Sequence, residues 1–112
     1  MNARVELAQS TFEPGSTLRG DVVLTGRPGE RVQLSVFWFT EGKGDPDGKE
    51  ILERELTCPT EERPSAIPFE VELPVLPVTY DGCIVKIGWA VEIRHLGEVI
   101  AKEPFVLRWD PR

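Results

Sequence analysis

Three acidic side chains at short spacing could bind a metal ion. Asp45, Asp47 and Glu50 lie in or just after a polar, glycine-rich segment, residues 41–49 (EGKGDPDGK). Carboxylate oxygens are the ligands that calcium prefers in proteins, but this spacing lacks the full ligand set of an EF-hand loop. The segment therefore favours a solvated hairpin loop, and a calcium or other ligand site from Asp45 to Glu50 is the alternative.

The residue types that commonly perform catalysis are few and isolated. His95 is the one histidine, and it lies near the end of a predicted strand. The serines lie outside any nucleophile motif, and the sequence contains no Walker loop, GxGxxG or HExxH. A histidine at the rim of a sheet is typical of a solvated strand end. The sequence therefore predicts a protein that is not an enzyme, with no catalytic, metal or cofactor-binding residue.

The two cysteines, Cys58 and Cys83, have neither metal nor redox spacing. The simpler interpretation is that both behave as small, mostly buried apolar residues. A disulfide between them stays open as an alternative, because the sequence does not give the separation of their β-carbons.

Length and charge narrow the class of protein. With 112 residues, the chain suits one domain with a modest core, at residues 1–112. The net charge of −6 argues against binding to nucleic acid or to anionic lipid. No apolar run approaches the roughly 20 residues that span a bilayer, and the N-terminus lacks the apolar region of a secretory signal. We therefore expect a cytoplasmic protein that does not insert into membranes.

The longest strand pattern covers residues 85–95 (VKIGWAVEIRH). Bulky apolar side chains alternate along it, with Trp89 in the middle of one face. A bulky face of this length needs a second sheet against it. Further strands are predicted at residues 5–7, 18–24, 30–40, 50–57, 69–73 and 99–109. Strands joined by short turns, without helical periodicity, indicate an all-β, antiparallel, immunoglobulin-like sandwich of about seven strands.

Glycine and proline mark several connections in this pattern. Pro14-Gly15 and Pro28-Gly29 predict tight turns. Gly20 falls on an otherwise apolar strand face, which predicts a bulge or the close approach of another backbone or an aromatic ring. Gly82 ends a Tyr-Asp-Gly corner, where we expect a backbone conformation that a side chain resists.

Tyr80, in the same corner, has two interpretations. Its ring is expected to pack there with the hydroxyl bonded to the backbone, as in the tyrosine corner of other sandwiches. A contact with a ligand is the alternative.

The strand at residues 30–40 has apolar side chains on both faces. The face predicted to point inward holds Val32, Leu34, Val36 and Trp38. Phe37 and Phe39 lie on the opposite face, because side chains alternate along a strand. Two explanations remain open: a loop or neighbouring strand packs over these rings, or they form an apolar contact patch for a partner.

Two segments resemble the arrestin-like family. Residues 12–24 (FEPGSTLRGDVVL) are similar to the family's Y-x-PGE-x-V-x-G-x-V-x-L element. Residues 73–93 (LPVLPVTYDGCIVKIGWAVEI) resemble its LP-x-x-P-x-S-Y-x-G corner and the long strand that follows. Thr79 stands where the family often has serine, and Trp89 where it often has tyrosine or phenylalanine. The resemblance covers most of the chain and implies an arrestin-like sandwich.

This resemblance also implies a role in protein interaction, because arrestin-like proteins are adaptors and scaffolds. Typical members carry two sandwiches in tandem, whereas this sequence shows one. A lone sandwich could associate with itself or bind an extended peptide on an open strand edge. We therefore expect a protein partner or self-association, through a sheet edge or the patch at Phe37 and Phe39.

Overall fold

The computed structural model describes residues 1–42, 48–59, 64–82 and 85–109. Within them the strands are, in chain order, β1 (Asn2–Leu7), β2 (Thr11–Phe12), β3 (Thr17–Thr25), β4 (Arg31–Gly42), β5 (Gly48–Thr57), β6 (Ser65–Glu72), β7 (Tyr80–Asp81), β8 (Val85–His95) and β9 (Glu98–Leu107). A smaller sheet has the order β1-β3-β6, and a larger one the order β2-β9-β8-β4-β5, with β7 beside β8. Each pairing is antiparallel except that of β2 with β9. The predicted all-β sandwich is confirmed.

The long strands are those that the alternation predicts. The structure differs from the prediction in two short strands and in the start of β6, and each difference has a local cause. The two-residue strands β2 and β7 are too short to show a period. β6 begins four residues earlier than predicted and includes Pro68, which pairs with Asp21. A proline is accommodated there because β6 is an edge strand, where one row of backbone groups needs no partner.

The core lies between the two sheets, and Trp89 of β8 is its largest fully buried side chain, 1% exposed. The Trp89 ring centroid lies 5.7 Å from that of Phe105. Its Nε1 donates a hydrogen bond of 2.7 Å to the Pro77 carbonyl, so the one polar atom of the indole is satisfied. The predicted burial of Trp89 near Trp38 is confirmed, since the two residues are paired across β4 and β8. Trp38 itself is only half-buried against the core.

Gly20 of β3 lies where two neighbouring strands approach closely, as the sequence predicts. It pairs with Leu7 on one side and with Phe69 on the other. A Cβ at this position would lie 2.6 Å from the Glu6 carbonyl oxygen and 3.2 Å from Cε1 of Phe69. The prediction of a close backbone or aromatic neighbour is therefore confirmed.

Both predicted Pro-Gly turns form. The glycine has a positive φ in each, 77° at Gly15 and 86° at Gly29. Each turn is closed by a hydrogen bond from the N–H of its fourth residue to the carbonyl of its first, at 3.1 Å and 3.2 Å. Proline followed by a glycine with positive φ defines a type II turn.

Gly82 differs from the expectation. Its φ does not lie in the left-handed region, so the expected strained backbone is wrong. The need for glycine comes from space instead, because a Cβ would lie 2.5 Å from Cε1 of Tyr80 and 2.8 Å from the Val85 carbonyl oxygen. Tyr80 is more than half exposed, and within the described ranges its hydroxyl has no hydrogen-bond partner. The expected tyrosine corner does not form there.

The turn between β8 and β9 has an unusual residue. Leu96 and Gly97 have φ values of 52° and 81°, which is the two-residue type I′ geometry. Asparagine and glycine are the residues that this turn favours, since the left-handed conformation costs other residues roughly 1–2 kcal/mol. Leu96 is nonetheless 89% exposed, so packing in the core does not compensate for that cost.

The connections between strands fall at two opposite ends of the sandwich. Residues 26–30 and the Leu96-Gly97 turn lie at one end, which we call the hairpin end. Residues 8–16, 73–82 and 108–109 lie at the other, which we call the connection end. In residues 1–42, 48–59, 64–82 and 85–109, no helix is long and apolar enough to cross a bilayer.

Candidate interaction surfaces

Phe37 and Phe39 lie side by side on the outer face of the larger sheet, with ring centroids 5.8 Å apart. Both are half-buried. The Phe39 ring lies over Gly88 of β8, where a Cβ would be 2.6 Å from the ring. The Nζ of Lys102, on β9, lies 4.8 Å from the Phe39 centroid and 5.8 Å from that of Phe37. These distances are typical of cation–π contacts. Neighbours on the same face therefore cover part of each ring.

Polar side chains around these rings pair with one another. The Glu92 carboxylate is nearly buried and accepts a hydrogen bond of 2.6 Å from Nε of Arg94. That hydrogen bond is the main cause of a raised pKa for the Arg94 guanidinium, and the negative charge of Glu92 raises this pKa further. Ser35 donates from Oγ to Oε1 of Glu50 at 3.3 Å. These polar side chains are therefore paired with one another within the outer face of the larger sheet.

The proposed calcium ligands are only partly described by the structure. Glu50 lies in β5 and accepts the hydrogen bond from Ser35, whereas Asp45 and Asp47 lie outside the described residues. Across the four described ranges, no three histidine, cysteine or acidic side chains lie close enough to hold a metal ion.

Cys58 is buried with a free thiol, and Cys83 lies outside the described ranges.

The single histidine lies at the hairpin end and binds a turn. Nε2 of His95 is 3.0 Å from Oε2 of Glu30, and both side chains are mostly covered. The other carboxylate oxygen of Glu30 accepts a hydrogen bond of 2.9 Å from the Arg27 N–H. Cys58 adds backbone hydrogen bonds to the same turn, at 2.7 Å and 3.0 Å. His95 therefore ties the end of β8 to this turn.

Glu30 gives the fold a pH dependence that can be measured. The hydrogen bond from the Arg27 N–H, aided by the charge of His95, holds the pKa of Glu30 below its ordinary value of 4.5, against the opposing effect of burial. A carboxyl with a lowered folded pKa stabilises the fold above its unfolded pKa, and this contribution disappears as the pH falls through the folded value. We expect Glu30→Gln to melt below the wild type at pH 7.

The measurement is a series of circular-dichroism melting curves for both proteins at decreasing pH. The gap between their midpoints should shrink once the pH falls below 4.5. A gap that stays constant to strongly acidic pH would contradict the role assigned to the Glu30 charge. Glu13→Gln, a carboxylate in the other Pro-Gly turn, is the matched control.

The connection end carries a group of exposed apolar side chains. Val75, Leu76 and Tyr80 are each more than half exposed, and we call these three the apolar end patch. Trp109, two residues after the end of β9, is 60% exposed at the same end of the sandwich. The hairpin end has Leu96 and Val99 as its large exposed apolar residues.

Hydrogen bonds hold the segment that carries the apolar end patch. The Gly15 N–H donates to the Pro74 carbonyl at 3.1 Å. The Thr79 N–H donates to the Leu107 carbonyl at 2.7 Å, and the Leu107 N–H donates back to Oγ1 of Thr79 at 2.8 Å. These bonds lie on both sides of Val75 and Leu76. The patch is therefore exposed and, at the same time, fixed to the sandwich.

Alternation along residues 30–40 predicts that Phe37 and Phe39 share an outer face, whereas no pattern in the sequence marks Val75 or Leu76. The two prolines around them marked the segment only as a connection. A connection carries no period from which burial can be inferred. The placement of two apolar residues between prolines is the one signal in the sequence, and it is weak because it does not give their exposure.

Sequence comparison gives no relative, but solved structures are similar to this chain. No family model and no curated protein matches the sequence. Spo0M, a sporulation control protein from Bacillus subtilis, superposes with a TM-score of 0.64 at 16% identity, over 99% of this chain and 51% of that one. A β-glucosidase from Listeria innocua superposes with a TM-score of 0.53 at 10% identity, over 96% of this chain and 16% of that one.

The chain thus spans about half the length of Spo0M and a small part of the β-glucosidase. At these identities, structural similarity bears on the fold and not on activity. It supports the arrestin-like β-sandwich that the Pro-Gly element and the Leu-Pro corner predict.

Proposed function

We propose that this chain is a non-enzymatic protein-interaction domain, adaptor-like or scaffold-like, that binds its partner through the apolar end patch. The observation that carries this proposal is the exposure of Val75, Leu76 and Tyr80 on a segment held by hydrogen bonds on both sides. Exposed apolar clusters often mark interaction sites. An ordered segment also loses less conformational freedom on binding than a mobile one. The net charge of −6 favours a protein partner over nucleic acid.

The apolar end patch is large enough to contribute measurably to the free energy of binding. Burying the exposed parts of Val75 and Leu76 would contribute on the order of 2–3 kcal/mol to binding. Since about 1.4 kcal/mol corresponds to a tenfold change in affinity, losing both side chains should weaken binding by roughly 30- to 150-fold.

The outer patch at Phe37 and Phe39 stays a prediction for the same function. Its rings are half-buried over Gly88 and beside Lys102, so they also pack within the fold. Removing them would affect stability and binding together. Removing the end patch should affect binding alone, which allows the two surfaces to be separated.

The test compares two double variants by capture of partners from the source cell, with identification by mass spectrometry. Val75→Ser with Leu76→Ser should keep the melting temperature of the wild type and lose its protein partners. Phe37→Ser with Phe39→Ser should melt at a lower temperature. Val99→Ser, an exposed valine at the hairpin end, is the matched control and should keep both properties.

Three outcomes would count against this proposal. If the Val75 and Leu76 variant keeps every partner, the apolar end patch is not the binding surface. If the Phe37 and Phe39 variant stays folded and loses partners, the outer patch carries the function instead. If both variants keep every partner, interaction through an exposed apolar surface is overturned.

A further inference from the structure

A cleft of about 480 Å³ lies at the connection end, beside β2, the turn at residues 13–16 and the end of β9. This volume is within the range of roughly 300–1,000 Å³ that is usual for sites that bind small molecules. Phe12 is buried, so the exposed indole of Trp109 is the main apolar surface that the cleft offers to a ligand. The remaining side chains of the lining are polar: Gln9, Thr11, Glu13, Ser16 and Arg108.

Hydrogen bonds to backbone carbonyls fix the walls of this cleft. The Arg108 N–H donates to the Phe12 carbonyl at 3.0 Å, which joins β2 to the segment after β9. The N–H and Oγ of Ser16 both donate to the Glu13 carbonyl, at 3.1 Å and 2.6 Å. A ligand that enters between ordered walls has little of the chain to immobilise. The cleft is therefore formed before a ligand binds.

Several polar side chains of the cleft lack partners of their own. Within the part of the chain that the structure describes, the side chains of Gln9, Glu13 and Arg108 form no hydrogen bond or ion pair. Trp109 likewise has no aromatic neighbour in that part of the chain. Several other exposed arginines lie within 3.3 Å of a carboxylate: Arg4 beside Glu6, Arg19 beside Glu70 and Arg31 beside Glu55. The cleft thus gathers groups that remain available to a ligand.

These groups match a ligand that is rich in hydroxyl groups. The Glu13 carboxylate accepts hydrogen bonds, the Arg108 guanidinium donates them, and the Gln9 amide does both. A hydroxyl group also donates and accepts, so several hydroxyls on one molecule can use all three side chains. A free amino acid would engage mainly the two charges. Because one charge of each sign lines the cleft, neither an anion nor a cation is favoured.

The indole of Trp109 adds a flat apolar surface to this set, and it is 60% exposed. The face of an aromatic ring is negative and attracts hydrogens that carry a partial positive charge. The C–H groups on one face of a pyranose ring are hydrogens of this kind, so a sugar ring can lie flat against the indole. A stacking surface beside unpaired donors and acceptors is a combination that suits a sugar.

We propose that this cleft binds a neutral sugar, whose ring stacks on Trp109 and whose hydroxyl groups bond to the polar side chains of Gln9, Glu13 and Arg108. The volume of the cleft suits a hexose or a disaccharide. The site uses none of the three residues of the apolar end patch, so it is independent of the proposed function. The domain then has one surface for a protein partner and another for a carbohydrate.

Three variants test the two kinds of contact. Trp109→Ala removes the stacking surface and should weaken binding by roughly tenfold or more, whereas Trp109→Phe keeps an aromatic face and should weaken it less. Glu13→Ala removes an acceptor and should also weaken binding by roughly tenfold or more. Glu98→Ala removes an exposed carboxylate at the hairpin end and is the matched control. All of these side chains are exposed, so the melting temperatures should equal that of the wild type.

The experiment uses saturation-transfer NMR, which observes the sugar and so applies equally to variants that lack Trp109. The probes are glucose, galactose, mannose, N-acetylglucosamine, cellobiose and maltose. Each is raised to about 100 mM, because an open cleft binds such small ligands with dissociation constants on the order of 1 mM. At least one probe should bind the wild type and Glu98→Ala with equal affinity, and Trp109→Ala and Glu13→Ala with lower affinity. Free leucine, a zwitterion, and phosphate, an anion, are the comparison ligands and should not bind in the cleft.

Any of three results would overturn the proposal. None of the sugars could bind, or a sugar could bind Trp109→Ala and Glu13→Ala as tightly as it binds the wild type. Free leucine or phosphate could also bind more tightly than every sugar and lose affinity in both variants, which would assign the cleft to a charged ligand. The variant of Val75 and Leu76 should bind sugars as the wild type does, so the loss of protein partners and the loss of sugar binding are separate results.

Discussion

Trp89→Ala is expected to lower the free energy of unfolding by about 3–5 kcal/mol, the loss that is usual for truncating a buried tryptophan. Trp89 is 1% exposed and packs against Phe105 between the sheets. A domain of this size is stable by roughly 5–15 kcal/mol in total. The variant should therefore lie close to the unfolding transition at room temperature, and urea denaturation followed by circular dichroism measures the loss.

Two further variants serve as controls for Trp89→Ala. Trp89→Phe keeps an aromatic ring and loses the hydrogen bond to the Pro77 carbonyl, so it should cost less than the alanine change. Trp109→Ala removes an exposed indole and should leave the urea midpoint unchanged. A soluble Trp89→Ala variant with the wild-type midpoint would show that the register of β8 is not the one described here.

Gly20→Ala is expected to destabilise the domain by about 1–3 kcal/mol, the range that is usual for overpacking. The added methyl group would lie 2.6 Å from the Glu6 carbonyl oxygen, which is backbone paired within the smaller sheet. It would also meet the Phe69 ring at 3.2 Å. Because the Glu6 carbonyl belongs to the paired backbone of β1, it cannot retreat without moving that strand.

Gly88→Ala is the matched comparison, since its methyl group would also lie 2.6 Å from a neighbour. That neighbour is the tip of the half-buried Phe39 ring, a side chain that can turn away toward solvent. Replacing glycine by alanine also reduces the freedom of the unfolded chain, which stabilises by about 0.4–1 kcal/mol. Gly88→Ala should therefore cost less than Gly20→Ala. If Gly20→Ala and Gly88→Ala had equal urea midpoints, a backbone neighbour would resist the added methyl group no more than a side-chain neighbour does.

The candidate surfaces were predictable only in part. Alternation along β4 was enough to place Phe37 and Phe39 on one outer face, because side-chain direction in a strand is a local property. The positions of Gly88 and Lys102 beside them depend on how β4, β8 and β9 align. That register is set by contacts between strands distant in the chain, so the covering of the rings did not follow from the sequence.

The sequence by itself determined the long strands, the two Pro-Gly turns and the burial of Trp89. Each depends on residue type and on the spacing of nearby residues, which the chain carries locally. The tertiary structure alone decided the order of strands, the crowding at Gly82 and the exposure of Val75, Leu76 and Leu96. Exposure and crowding depend on which distant segments pack against a residue, and no local pattern encodes that.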